Sequence, residues 1–400
     1  MKRSATIRLS LLAALVTAGI LALLTLHTES IDSPNGHLKQ TPGEVETNAT
    51  QTGGDRDLTL GSLLGEGAAG PVFPQVSGPR PFSFPRDHIG HPEYRSEWWY
   101  FTGQLRSPES PEFRYGFQFT IFRHALTPLD THSEGWNSPQ IYMGHLALTD
   151  FESGQHLASE MISRAGPDIA GSALEPPRVW IKNWRIESLR NSAWLPLMLT
   201  AQDPLLPLDL NLVMESGAPI VLQGDQGFSP KGPNTASHYY SYPRLKVSGS
   251  ISTDNAARIA VEGQAWFDHE WGSSYLENGQ LGWDWFSLQL DNGMTLMWFE
   301  IRSSDPKLNT RAITLVDARG NRLSLEPKEV DVKISGYWDS PDSRRYPSGW
   351  RIHIPRYQLD LSIEPRVKDQ EMHLTVVYWE GAVAVSGSHT GAGYVELSGY

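Results

Sequence analysis

The sequence predicts an all-β protein built from two β-domains of the same architecture in tandem. Three observations carry that reading. Short runs of aromatic and β-branched residues recur between turn signals, with 36 Gly and 28 Pro among 400 residues, which is the pattern of a sandwich or barrel. No long helical period follows residue 30. An internal repeat is also present. Trp98, Phe101, Gln104 and Leu105 recur 185 residues later as Trp283, Phe286, Gln289 and Leu290, and Phe122-Arg123 recurs 179 residues later as Ile301-Arg302. The difference lies in the connection. The first copy uses a longer loop, Arg106 to Glu112, and the second a natural hairpin turn, Asp291-Asn292-Gly293,.

In order, the chain divides into four parts. Residues 1–28 place Lys2, Arg3 and Arg8 before an apolar run from Leu9 to Leu26. This is a basic segment followed by an apolar one, as in exported proteins. The run is near the minimum for a membrane span, and Leu26-His27-Thr28 is a poor cleavage site, so a signal peptide and an uncleaved anchor both remain open. The expected location is therefore outside the cytoplasm, periplasmic or secreted or held at the membrane. Residues 29–84 are polar and rich in Gly, Pro, Ser and Thr, and read as a flexible linker. Gly65-Glu66-Gly67-Ala68-Ala69-Gly70 matches the dinucleotide fingerprint in form, but Pro71 and Pro74 prevent the helix it needs. Residues 85–275 form the first β-domain, with strand-like runs at Glu97 to Thr102, Tyr115 to Phe122, Ile141 to Leu148, Val179 to Ile186 and Leu208 to Met214. Residues 276–400 form the second, which closes on Leu374 to Trp379, Ala382 to Val385 and a final apolar strand reaching Tyr400.

Composition narrows the function. A net charge of −12 argues against nucleic acid, which needs a basic face. There is no Cys, so thiolate metal sites and a cysteine nucleophile are excluded. No Gly-x-Ser-x-Gly elbow occurs. His269-Glu270 is followed by Trp271-Gly272-Ser273, so it is not a His-Glu-x-x-His zinc motif,. The expected cofactor and metal content is none. The 14 Trp and 14 Tyr supply flat apolar surface with a polar handle.

The most loaded stretch is Ala265-Trp266-Phe267-Asp268-His269-Glu270-Trp271-Gly272. On a strand, side chains alternate between faces. Trp266, Asp268 and Glu270 then share one face, and Phe267, His269 and Trp271 the other. Aromatics on both faces imply cover on both sides, so burial pushes the Asp268 pKa upward. A protonated acid beside an indole suits proton donation. A hydrogen-bonded polar cluster at a barrel rim is the structural alternative. His238-Tyr239-Tyr240-Ser241-Tyr242-Pro243 places His238, Tyr240 and Tyr242 on one face. His91 and Arg95 precede the first sure strand and suit a salt-bridged loop. Asp268 and Glu270, about 7 Å apart on one strand face, would also suit an inverting glycosidase, although a pair on a single strand rarely flanks the scissile bond.

The combination of Ser96-Glu97-Trp98-Trp99-Tyr100, Tyr239-Tyr240-Ser241, Trp266-Phe267-Asp268-His269-Glu270-Trp271-Gly272 and Tyr378-Trp379-Glu380-Gly381 resembles the AttH/CrtC family. That family contains lipocalin-like secreted proteins and the carotenoid 1,2-hydratases. The resemblance spans Pro85 to Tyr400 and implies two lipocalin-like (calycin) antiparallel β-barrels packed together. It implies His238 with Tyr240, and Trp266 with Asp268, as catalytic residues, with Tyr and Trp exchanged relative to the hydratases. Trp98, Trp283, Glu270 and Tyr242 are the expected ligand-lining residues. The expected function is binding of a hydrophobic, isoprenoid or lipid-like small molecule, and hydration of its C=C bond by acid catalysis. Asp268 would protonate the alkene, the carbocation would rest against Trp266 and Tyr240, and His238 would handle the water. The alternative is a carrier without chemistry. Relatives accompany transporter operons, which implies an ABC transporter or the membrane as a partner.

Overall fold

The computed structural model describes residues 72–400, apart from 131–134, 204, 254–257 and 275. The N-terminal basic and apolar segment, the Gly65–Gly70 run and the linker up to residue 71 lie outside the described residues. From Val72 onward the arm is packed onto the fold. Phe73 and Val76 are buried, and Phe82 packs edge-on against Tyr240 and Trp271. The polar composition that suggested a free tether to residue 84 is thus interrupted by apolar anchors that find partners on the first sheet.

The protein is all-β. Among the described residues, thirteen strands form one antiparallel sheet and ten form another, with Tyr337–Asp339 and Arg345–Pro347 as a separate pair. The first sheet curls into a nearly closed barrel and the second into half a barrel. The first sheet runs from His156–Arg164 through Gln140–Asp150, Tyr115–Ala125, Ser96–Arg106, Ile259–Gly272, Ala236–Ser252 and Asp209–Ser216 to Leu197–Gln202, Trp184–Ser188, Pro177–Ile181 and Ala170–Leu174. The second runs from Arg322–Leu323 through Thr310–Val316, Thr295–Ser303, Gln280–Leu290, Gly391–Leu397, Val377–Gly387 and Leu359–Pro365 to Trp350–Ile354 and Asp331–Ile334. Each sheet therefore places its first long strand between the second strand and the last. The repeat visible in the sequence is a repeat of topology. Gly293 supplies the positive φ of +84° in the shorter hairpin, a conformation that costs glycine little.

Alternation explains the layering. One face of the first sheet turns inward with Trp99, Phe101, Phe267 and Trp271 in a continuous apolar core. The second sheet encloses Phe286, Trp298, Trp350 and Trp379. The outer faces of the two central strand pairs meet each other. There Tyr100, Tyr239, Trp266, Trp285, Phe299 and Tyr394 form a third cluster. Burial of such side chains stabilises by about 1.5–3 kcal/mol each, which is why both faces of these strands are aromatic. Gly116 permits the close approach: a Cβ there would come within 2.8 Å of the Ala382 Cβ and 2.9 Å of the Tyr394 Oη.

Candidate active site

Between the two sheets lies a cavity with about 690 Å³ of space free of protein atoms, its mouth included. Its walls are aromatic, and Trp98, Tyr100 and Tyr239 from the first sheet oppose Trp283, Trp285 and Tyr378 from the second. Asp268, Glu270, Glu380, Glu396 and Lys231 are its carboxyl and amine side chains.

Register places these groups. Asp268 is paired with Tyr100 on one side and Ser241 on the other. Cross-strand partners project to the same face, so all three point to the second sheet. Asp268 Oδ2 accepts from Tyr239 Oη at 2.7 Å. Oδ1 accepts from Ser241 Oγ at 2.5 Å and from Trp266 Nε1 at 2.6 Å. Asp268 is only 3 % exposed. Burial pushes its pKa up to about 7, against the pull of those three hydrogen bonds,.

Two carboxyl groups face it from the second sheet. Burial pushes Glu396 up to about 8, with the charges of Asp268 and Glu270 adding to the effect. Glu380 is raised well above the carboxylate range by burial and then by Glu396. Tyr100 Oη donates to Glu380 Oε1 at 2.8 Å, and Trp283 Nε1 to Glu396 Oε1 at 3.0 Å. Glu270 is the ion-paired member: Lys231 Nζ lies 2.7 Å from its Oε1, and Ser237 Oγ donates to the same oxygen at 2.5 Å. The Lys231 ammonium also sits 4.2 Å from the Phe299 ring centre, a favourable cation–π contact.

The predicted site residues separate into two groups. Asp268, Glu270, Trp98 and Trp283 meet at the cavity. Trp266 stands behind Asp268 and holds its carboxyl group, but it lines a small neighbouring recess instead of the cavity. Its expected role beside a carbocation is therefore corrected to that of a hydrogen-bond donor. His238, Tyr240 and Tyr242 are on the opposite face. Tyr240 is the cross-strand partner of His269, and His238 of Trp271, so all three point into the first barrel. The expectation that His238 and Tyr240 act together with Asp268 is corrected by this register, because neighbours along a strand project to opposite sides.

Inside the first barrel these residues meet a separate polar network. Glu97 Oε1 is 2.7 Å from His91 Nδ1 and 2.8 Å from His269 Nε2, while Arg123 Nε donates to Oε2 at 2.8 Å. Burial would raise Glu97, but His91, Arg123 and His269 overcome it and hold the carboxyl well below its usual range. Burial lowers His269 to about 4. His269 Nε2 donates to Glu97 at 2.8 Å, while Nδ1 lies 3.0 Å from the Asp87 carbonyl oxygen and 3.1 Å from Tyr240 Oη. Tyr240 Oη is also in hydrogen-bond contact with His88 Nδ1 at 2.6 Å. His91, Glu97 and His269 present ligand atoms close enough for a metal ion. Those atoms are already in hydrogen-bond contact with one another, and the Arg123 charge beside them opposes a cation. The arrangement is a closed structural network.

Among the cavity residues that the sequence analysis did not assign are Tyr100, Lys231, Tyr239, Trp285, Glu380 and Glu396. The repeat contained a signal for some of them. Trp285 is the counterpart of Tyr100, and Trp285 pairs with Glu396 as Tyr100 pairs with Asp268. Carrying the repeat into the last strand marks Glu396 as the counterpart of Asp268.

The sequence from residue 75 to residue 400 matches the model of the AttH-like family. The chain belongs to the AttH-like family. Among solved structures, this AttH-like protein is similar to a protein from Nitrosomonas europaea described as AttH, with 33% identity and a TM-score of 0.71 over 82% of this chain and 100% of that one. It is also similar to kievitone hydratase from Nectria haematococca, with 16% identity and a TM-score of 0.60 over 82% of this chain and 96% of that one. The second likeness is one of fold. Comparison with proteins of curated function returned no match.

Proposed function

We propose that this AttH-like protein adds water to, or removes it from, a carbon–carbon double bond of a hydrophobic, isoprenoid-like molecule held between its two sheets. The observation that carries the reading is Asp268, a buried carboxyl group with a pKa near 7 on the wall of an aromatic cavity. Hydration of a trisubstituted alkene needs a proton donor, a base for water and protection of a tertiary carbocation. Neutral carboxylic acids beside a carboxylate supply the first two. The negative ring faces of Trp98, Trp283 and Tyr100 stabilise the cation by about 0.5–2 kcal/mol each. The fold likeness to an enzyme named as a hydratase supports the same reading. The basic and apolar N-terminus supports an exported protein, and the apolar cavity supports a lipid-like partner at or near the membrane.

The test is incubation of the purified protein with geraniol and with a phenol bearing a 3-methylbut-2-enyl group, followed by mass spectrometry for the gain of one water. The expected product is a tertiary alcohol, and Asp268→Asn abolishes turnover while leaving binding nearly intact. Binding of these probes without any alcohol in the wild-type protein would establish the carrier reading in its place.

A further inference from the structure

The buried carboxyl groups of Asp268 and Glu380 and the partly buried one of Glu396 are not equivalent in their hydrogen bonding, and this divides their roles. Asp268 accepts from Tyr239, Ser241 and Trp266, so both of its oxygens are engaged. The two hydroxyl groups are set as donors by their own neighbours. Gln223 Nε2 donates to Ser241 Oγ at 2.7 Å, and Trp285 Nε1 donates to Tyr239 Oη at 3.2 Å. Each hydroxyl thereby accepts one hydrogen bond and directs its own proton to Asp268. The indole N–H of Trp266 has no acceptor role at all. Three converging donors favour an ionised carboxylate.

Glu396 and Glu380 lack that support. Glu396 accepts one indole N–H, from Trp283. Glu380 accepts one phenol O–H, from Tyr100, and its Oε2 is buried with no hydrogen-bond partner. A buried carboxylate with a bare oxygen carries a large desolvation cost, whereas the neutral acid carries a small one. The remaining charges at the cavity are Glu270 and Lys231, which are paired with each other.

Position adds a second argument. Asp268 and Glu396 occupy matching places in the two repeats, opposite Tyr100 and Trp285 respectively. They approach the cavity from different sheets, so a ligand between the sheets meets one on each side.

We propose that, in the hydration reading above on which this inference rests, Glu396 is the proton donor, with Glu380 beside it as a second neutral acid, and Asp268 is the carboxylate base. The O–H bond of Glu396 breaks as a C–H bond forms on the less substituted alkene carbon, which leaves a glutamate carboxylate and a tertiary carbocation. A water oxygen bonds to the cation and gives up one proton to Asp268. Return of that proton from Asp268 to Glu396 restores the starting state. The donor role inferred for Asp268 from sequence is thereby transferred to the second sheet.

The reaction in D2O with the 3-methylbut-2-enyl phenol separates the roles. Reversible protonation by the donor washes deuterium into the vinylic position of recovered alkene, and the base is needed only for capture of water. Asp268→Asn is expected to lose alcohol formation by at least about 100-fold while deuterium wash-in persists. Glu396→Gln is expected to lose both, and Glu396→Asp to restore part of each. Wash-in that survives Glu396→Gln but vanishes in Asp268→Asn overturns the assignment and returns the donor role to Asp268. A wild-type protein with neither alcohol nor wash-in defeats the hydration reading itself. An activity-free measurement then still decides the charge division. At about pH 7.5, the infrared carbonyl stretch of neutral acids is expected to weaken more in Glu396→Gln and in Glu380→Gln than in Asp268→Asn. The opposite pattern refutes the proposal. Circular dichroism of each variant establishes that the amide replacements leave the fold in place.

Discussion

Gln104 and Gln289 occupy the same place in the two repeats and reach across the sheet interface in opposite directions. Gln104 Nε2 donates to the backbone carbonyls of Val383 and Gly393 in the second sheet, at 2.8 and 2.9 Å. Gln289 Nε2 donates to those of Pro243 and Ala265 in the first, also at 2.8 and 2.9 Å. The two sheets are therefore clasped by a reciprocal pair beside the cavity. Both side chains are nearly fully buried, so each clasp is made away from competing water.

This clasp has a measurable cost of removal. Gln104→Ala and Gln289→Ala each delete two buried hydrogen bonds and are expected to lower stability by about 1–3 kcal/mol. Urea unfolding of the single and double variants provides the check. Losses under about 0.5 kcal/mol would show that aromatic packing alone holds the sheets together.

The raised acids at the cavity contribute stability that is lost as pH rises through their folded values, about 7 for Asp268 and about 8 for Glu396,. Asp268 rises from its ordinary value to about 7 and Glu396 to about 8. Between the unfolded and folded pKa values the folded state binds more protons, so stability decreases as pH increases through that window. Buried histidines lowered to about 4, such as His238 and His269, act in the other direction but only below their unfolded pKa of about 6.5. Denaturant unfolding from about pH 6.5 to 8.5 is therefore expected to show declining stability, and Asp268→Asn combined with Glu396→Gln to flatten the decline. An unchanged slope in the double variant would sink this account.

The network in the first barrel is expected to be structural. Glu97 and Arg123 are an almost completely buried ion pair at 2.8 Å. Glu97→Ala leaves the Arg123 charge uncompensated and is expected to destabilise by about 3–5 kcal/mol. Thermal and urea unfolding test it, and a loss below about 1 kcal/mol would mean that water or rearrangement replaces the pair.

Cavity and barrel interior are distinguishable by ligand binding. Retinol, an apolar polyene with intrinsic fluorescence, is expected to bind between the sheets. Trp283→Ala and Trp98→Ala are expected to weaken it by about tenfold each, equivalent to roughly 1.4 kcal/mol of lost apolar contact. His238→Ala, on the far face of the strand, is expected to leave the affinity unchanged. Equal weakening by His238→Ala would move the binding site into the first barrel.

The sequence by itself determined the strand-rich fold, the tandem repeat and the division of Asp268 and Glu270 from His269, because side chains on a strand alternate with a period of two. It also contained Gln104 and Gln289 as matched positions. Only the tertiary structure decided which residues Asp268 meets. His238-Tyr239-Tyr240-Ser241-Tyr242 alternates as cleanly as its neighbour strand, but alternation sets the two faces of one strand and leaves open which face joins which on the next. The pairing of Ser241 with Asp268 brings Tyr239 and Ser241 to the carboxyl group and sends His238 and Tyr240 into the barrel. A slip of one residue would have done the reverse. Glu380 and Glu396 lie more than a hundred residues away in the chain and reach Asp268 only because the outer faces of two sheets pack together. That packing is driven by aromatic burial, which carries no record in the local sequence of which distant strand will supply the other wall.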